Sequence, residues 1–192
     1  MKGGIDAWNG LVSRAEVDQG MFLIEGDERP EEVIALAYGL EAATYRFYED
    51  LAGRGRDRDV TDAFRQLAQD EVRHQENLWE KYRALTGADE TRESFESKTV
   101  SRTLENGKTA DQILAEYPEW IEEPREALEL AMSLETDSLD LYLRMAQKSR
   151  HKEAASVFHE LAGEEKVHLK RLGKLLRQKL RAMEAPLGAR DR

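Results

Sequence analysis

Cysteine is absent from the 192-residue chain. That excludes disulfides, thiol catalysis, iron–sulfur clusters and cysteine-held zinc in one step. No apolar run reaches the ~18 residues of a membrane span and no signal peptide is visible, so the expected compartment is the cytoplasm, with no membrane partner. Basic residues are in deficit: 29 Lys and Arg stand against 39 Asp and Glu, a net charge of -10. A nucleic-acid partner, which needs clustered Lys and Arg, is not expected. No methionine stands out as a haem ligand, so haem is not expected either. Prolines number only 4.

What remains is a chain with 40% hydrophobic and 35% charged residues, rich in the helix formers Glu, Leu, Ala, Arg and Lys. Four stretches carry helical periodicity: about Pro30 to Ala52, Asp59 to Leu85, Pro124 to Gln147 and His151 to Met183. Pro30 and Pro124 sit where a first-turn proline belongs, each followed by acidic residues. Gly53 and Gly55 punctuate the end of the first stretch and Gly87 that of the second. Short links join stretches one to two and three to four, which predicts two antiparallel hairpins. The segment 87–123 between them is long enough to cross back along a bundle, with Thr109 to Tyr117 reading as a short helix. The expected organisation is an N-terminal arm over 1–29, an all-α four-helix bundle over 30–183 with its crossover at 87–123, and a C-terminal tail over 184–192.

The chain repeats itself. Shifted by 94 residues, 30–86 aligns with 124–180 without a gap, and 16 of the 57 positions are identical. Phe64-x-x-Leu67-Ala68-x-x-Glu71-x-x-His74 recurs as Phe158-x-x-Leu161-Ala162-x-x-Glu165-x-x-His168. Leu40-Glu41 with Tyr48 recurs as Leu134-Glu135 with Tyr142. A duplicated hairpin implies a pseudo-twofold axis, and a site on that axis receives one Glu and one Glu-x-x-His from each half.

Residues three apart share a helix face, so Glu71 points with His74 and Glu165 with His168. These residues lie on the apolar stripe, as Glu41 does with Leu36, Ala37, Leu40 and Tyr48, and Glu135 with Leu130, Ala131, Leu134 and Tyr142. Four carboxylates converging in a core repel and lose hydration. Two divalent cations cancel that charge, and one imidazole completes each metal. This donor set suits iron or manganese, with zinc or cobalt as substitutes. A single buried Glu or His is more often a satisfied core polar group; the six together are not read that way. His151 and His159 fall off the stripe and read as surface residues. Tyr48 and Tyr142 read equally as core aromatics or as hydrogen-bonding or redox groups beside the metals. The charges from Arg54 to Asp59 read as a solvated turn, and Trp79, Phe95 and Trp120 as packing around the crossover.

One Glu on each of two helices and Glu-x-x-His on the other two resembles the di-iron carboxylate signature of the ferritin-like superfamily. Within it, residues 30–183 are most similar to rubrerythrins. The resemblance implies two iron ions held by Glu41, Glu71, His74, Glu135, Glu165 and His168, and reduction of hydrogen peroxide, or of dioxygen, at the di-ferrous centre. It also matches Tyr48 to a tyrosine beside the metals in rubrerythrins. Ser138 departs from the pattern, standing where rubrerythrins usually carry another Glu three residues after the third-helix ligand. This puts in question the redox-linked ligand exchange built on that Glu. A rubredoxin domain needs four cysteines, so the electron donor is expected to be external. A ferroxidase feeding iron storage and a metal-stapled structural or partner-binding module are the rival readings. A homodimer, with helices able to exchange through the crossover, is the expected assembly. Separately, Gly3-Gly4-Ile5-Asp6-Ala7-Trp8-Asn9-Gly10 is similar to the closing segment of rhodanese domains, the alternative being an ordinary arm. That resemblance implies a rhodanese fusion without sulfurtransferase activity, because the reactive cysteine is missing.

Overall fold

Proline at the first turn of the first and third long stretches starts both helices where the sequence places them. A computed structural model, which describes residues 20–87, 90–99, 101, 103–118 and 121–184, contains six α-helices. The long ones are α1 (Pro30–Arg54), α2 (Arg58–Thr86), α5 (Pro124–Lys148) and α6 (Lys152–Glu184). Each lies within two residues of its predicted span at either end. Two short helices occupy the crossover, α3 (Arg92–Lys98) and α4 (Ala110–Glu116). The second answers the expectation over Thr109 to Tyr117; the first was not anticipated, because seven residues carry too little periodicity to read. Among the described residues there is no strand, only a single antiparallel bridge between Thr103 and Thr109.

Local chemistry sets the ends. Asp57 caps α2 by accepting the Val60 N–H at 3.1 Å, which satisfies a donor the helix leaves unpaired. Thr109 and Gln112 cap α4 reciprocally, at 3.2 and 2.8 Å. Gly87 closes α2 at φ 56, a left-handed conformation that costs glycine little. Gly53 is the penultimate residue of α1, and the cap falls to Gly55, whose N–H reaches the Leu51 carbonyl at 3.0 Å.

α1 packs along α2, and α5 along α6, as two hairpins. Their apolar faces make two core clusters, one around Ile34, Tyr38, Leu141 and Phe158, the other around Phe47, Tyr48, Phe64 and Leu128. Leu104, Ile113 and Ile121 of the crossover are buried in the second cluster. Burying a leucine or isoleucine side chain stabilises by about 1.5–3 kcal/mol, so these residues hold the crossover to the bundle. Tyr38 hydrogen-bonds Glu96 at 2.5 Å, and Phe95 packs edge-on against Tyr38 and at a tilt against Trp79 and Tyr82. Trp79 and Phe95 are thus packing residues at the crossover; Trp120 lies outside the described residues. Gly39 permits the close approach, since a Cβ there would stand 2.2 Å from the Thr99 carbonyl oxygen. Ahead of α1, Ile24 is buried in the first cluster, with Met21 and Leu23 against it. The rhodanese-like residues 3–10 lie outside the described residues. No helix among the described residues is long and apolar enough to cross a membrane.

Candidate metal centre

Each long helix delivers its polar residues from the middle of an apolar stripe. α1 carries Glu41 between Leu40, Thr44 and Tyr48, and α5 carries Glu135 between Leu134, Ser138 and Tyr142, all buried. α2 presents Glu71 and His74 after Phe64, Leu67 and Ala68; α6 presents Glu165 and His168 after Phe158, Leu161 and Ala162. The six polar residues are at most 5% exposed. The structure brings all six together.

They meet in a crossed pattern. Glu41, His74 and Glu165 offer ligand atoms within 4.8 Å of one another, and Glu71, Glu135 and His168 form the second such group. Each group therefore takes a carboxylate from both halves of the repeat. His74 Nδ1 lies 2.7 Å from Glu41 and 3.1 Å from Glu71. His168 Nδ1 lies 2.9 Å from Glu135. The imidazole rings stack at 5.3 Å with an interplanar angle of 16°. The tyrosines cross over as well: Tyr142 donates to Glu41 at 2.5 Å, and Tyr48 donates to Glu135. Phe64 stacks on Tyr48 and Phe158 on Tyr142, so each phenol is held by the Phe of its own hairpin.

Electrostatics divide the carboxylates into two kinds. Burial pushes Glu71 and Glu165 well above the usual carboxylate range, and the charges of Glu41 and Glu135 beside them add to it. Glu41 goes the other way. Burial opposes its ionisation, but hydrogen bonding to Glu71, the His74 charge and the bond from Tyr142 bring it down to about 2. Glu135 is lowered against its burial by Glu165, His168 and Tyr48. Without cations, the arrangement favours protons on Glu71 and Glu165, hydrogen-bonded to Glu41 and Glu135. A pair of divalent ions would displace those protons and cancel the four charges. The imidazoles turn Nδ1 inward, toward the carboxylates. The residues present fit a two-metal site.

Three acids around the centre were not singled out from the sequence. Asp70, 4% exposed, lies 3.6 Å from His168 Nε2 and is paired with Arg73 and Arg171. Its repeat partner Glu164 lies 3.9 Å from His74 Nε2 and is largely exposed. Carboxylates behind metal-binding histidines fix the ring and its tautomer. The signal was available, because Asp70 and Glu164 occupy the same place in the repeat and both are acidic. The third is Glu105, buried in the crossover, which accepts from the Thr44 hydroxyl at 2.9 and 3.1 Å and lies 3.3 Å from the Tyr142 hydroxyl. Burial, with the charge of Glu41, pushes it up to about 7. It lies outside the repeat, and nothing in the sequence marks it. His151 and His159 are exposed, as expected. Ser138 donates back to the Leu134 carbonyl at 3.1 Å.

Between α2 and α6 a groove of about 420 Å³ is lined by Gln66, Leu67, Arg171, Leu172 and Lys174 among others. Leu67 and Leu172 lie one helical turn from Glu71 and His168.

No curated protein matches the chain. Among solved structures, an uncharacterized conserved protein from Magnetospirillum magnetotacticum shares the fold with a TM-score of 0.59 and 21% identity, over 79% of this chain and 95% of that one. A hypothetical protein from Pyrococcus furiosus aligns with a TM-score of 0.51 and 18% identity, over 80% and 91%. The Rubrerythrin family model matches residues 126–186, which take in α5 and α6 with Glu135, Glu165 and His168. The first hairpin, which repeats the second at a fixed offset, completes the same residue set. The second hairpin is thus similar to the Rubrerythrin family, and the chain as a whole shares an all-helical, ferritin-like fold with the two solved structures.

Proposed function

We propose that the chain is a non-haem di-iron oxidoreductase that reduces hydrogen peroxide. The observation that carries this reading is the crossed pair of Glu–His–Glu groups, two candidate cation positions related by the repeat, in a bundle whose second hairpin matches the Rubrerythrin family model. Glu41, His74 and Glu165 would hold one ion, and Glu71, Glu135 and His168 the other. Bound iron would supply Lewis acidity and the two electrons that, with two protons, convert hydrogen peroxide to two waters.

The protein's own residues set the conditions. Burial pushes the Tyr48 and Tyr142 phenols well above their ordinary range, and the neighbouring carboxylates add to it. Both phenols therefore keep their protons and serve as hydrogen-bond donors, fixing Glu135 and Glu41. Phe64, Phe158, Leu67 and Leu161 exclude bulk water from the carboxylates, which strengthens every charge interaction there. Asp70, braced by two arginines, orients His168. The groove beside Leu67 and Leu172 is the approach for a small oxidant. An external donor returns the electrons, and a homodimer is the proposed assembly.

The test is anaerobic loading of the metal-free protein with Fe(II), followed by mixing with peroxide or with oxygen. The expected result is about two ions oxidised per chain, much faster by peroxide. Faster oxidation by oxygen that continues past two ions would replace this reading with a ferroxidase. Silence toward both oxidants would leave a metal that only staples the bundle.

A further inference from the structure

The repeat makes the inner residues of the two hairpins nearly interchangeable, and one group breaks that symmetry. Glu105 reaches the centre from the tight turn of the crossover, where Leu104 N–H bonds the Lys108 carbonyl at 2.9 Å and Gly107 N–H bonds the Leu104 carbonyl at 2.9 Å. Its backbone is covered by the segment ahead of α1. A Cβ at Gly20 (φ +74) would stand 2.5 Å from the Glu105 carbonyl oxygen, so only glycine lets the two segments meet there. The carboxylate is 4% exposed, accepts from the Thr44 hydroxyl on one side and lies 3.3 Å from the Tyr142 oxygen on the other. Tyr142 in turn donates to Glu41 at 2.5 Å.

On the opposite side the corresponding places are filled differently. Ser138, the repeat partner of Thr44, turns its hydroxyl to its own helix at 3.1 Å. Among the described residues, Tyr48 hydrogen-bonds Glu135 with no further carboxylate behind it. A chain of three groups, Glu105–Tyr142–Glu41, thus faces a chain of two, Tyr48–Glu135. Glu105 stands outside both ligand groups. It acts on the nearer one through Tyr142 and through its charge.

We infer that Glu105 is a positioning residue that makes the two metal positions unequal, favouring a cation at Glu41–His74–Glu165 over one at Glu71–Glu135–His168. The inference rests on the two-metal reading of the centre. A buried carboxylate adds negative potential to the nearer position, and the Tyr142 bond restricts the Glu41 rotamer there. Glu71 and Glu135 of the farther position also feel the Glu105 charge, but no bond from Tyr142 fixes a carboxylate there. The ions then enter in a fixed order, the first beside His74.

The experiment uses the full chain, freed of metal, titrated with Co(II) and followed by proton NMR. Cobalt shifts the ring N–H signal of each ligating histidine out of the ordinary envelope. The two signals are assigned by their loss in His74→Ala and His168→Ala. In the wild type the His74 signal is expected first and the His168 signal second. In Glu105→Gln, similar in size but uncharged, the step carrying the His74 signal is expected to weaken about tenfold, as when partners behind metal ligands are removed. The His168 step is expected to move by less than about twofold, well inside that range. Thr44→Val, which frees Glu105 from its second anchor, is expected to act in the same direction with less effect, and Glu105→Asp to restore part of the loss. Equal weakening of both steps, or no change in either, would overturn the inference while leaving the two-metal centre standing. A wild-type chain that takes up no pair of cobalt ions would remove both.

Discussion

The imidazole of His74 lies nearly parallel to that of His168, 5.3 Å away, though the two residues are 94 positions apart. That stacking is the pseudo-twofold axis of the duplicated hairpin made visible in a single contact. Both rings turn Nδ1 toward the carboxylates and leave Nε2 facing an outer acid, Asp70 for His168 and Glu164 for His74.

Because each candidate group draws on both hairpins, a defect in one hairpin is expected to reach both proposed positions. His168→Ala or Glu71→Ala should reduce metal-dependent peroxide turnover to background while leaving helical content largely intact. Metal analysis, circular dichroism and stopped-flow absorbance check this together. Unchanged turnover in either variant would remove those residues from the site.

The converging carboxylates are a burden on the metal-free protein. Glu71→Gln removes one buried acid and keeps a donor for Glu41. It is expected to raise the metal-free stability by about 1–2 kcal/mol, in the range of substitutions that relieve functional strain. The same variant should lose most of the rise in Tm that added metal gives the wild type, since ligand binding to the folded state is what produces that rise. Thermal melts with and without Co(II) read both effects.

Tyr48 and Tyr142 each tie a carboxylate of the opposite hairpin. Tyr48→Phe and Tyr142→Phe are expected to cost about 1–3 kcal/mol each in the metal-free state, because a buried carboxylate loses a donor that water cannot replace. Urea unfolding measures the loss. A neutral result for both would mean that the rings matter only as packing.

The two outer acids differ in burial, and their variants should differ accordingly. Asp70→Asn is expected to weaken metal binding about 10- to 100-fold, as for other carboxylates behind metal-bound histidines. Glu164→Gln, largely exposed and 3.9 Å from its histidine, should change affinity by less than about twofold on the same scale. Competition against a chelator of known affinity separates the two. Equal effects would contradict a role for burial.

Far from the centre, Asp57 both caps α2 and pairs with Lys179 of α6 at 2.7 Å. Its carboxyl is held below the ordinary value of 3.8; burial is the largest single influence and opposes this, but the Lys179 bond and charge together with the cap outweigh it. Asp57→Ala is expected to cost about 1 kcal/mol, mostly through the cap, because the pair is open to solvent. A lowered folded-state value means that the Asp contribution is complete above pH 3.8 and fades as pH falls below it through the folded value. The difference in Tm between wild type and variant should therefore be constant near neutrality and shrink in acid. A difference that grew in acid would be the wrong sign.

Sequence periodicity placed all four long helices, and the 94-residue offset picked out six polar residues that the fold then gathers at one point. It could do so because each hairpin writes its polar residues onto an apolar stripe, where spacing alone reveals a shared face. The repeat also held Asp70 and Glu164, as a pair of acids at equivalent places. The short helix Arg92–Lys98 escaped notice, since one face of seven residues shows too few turns to establish a period. Glu105 could not be read at all. Its place beside Tyr142 depends on how the crossover folds back over α1 through Gly39 and how Gly20 seats against its carbonyl. The sequence by itself determined the helices and the symmetric set of six buried polar residues, because those follow from local periodicity repeated twice. Only the tertiary structure decided which carboxylate joins which histidine and where the symmetry ends, because those depend on contacts between segments with no common spacing.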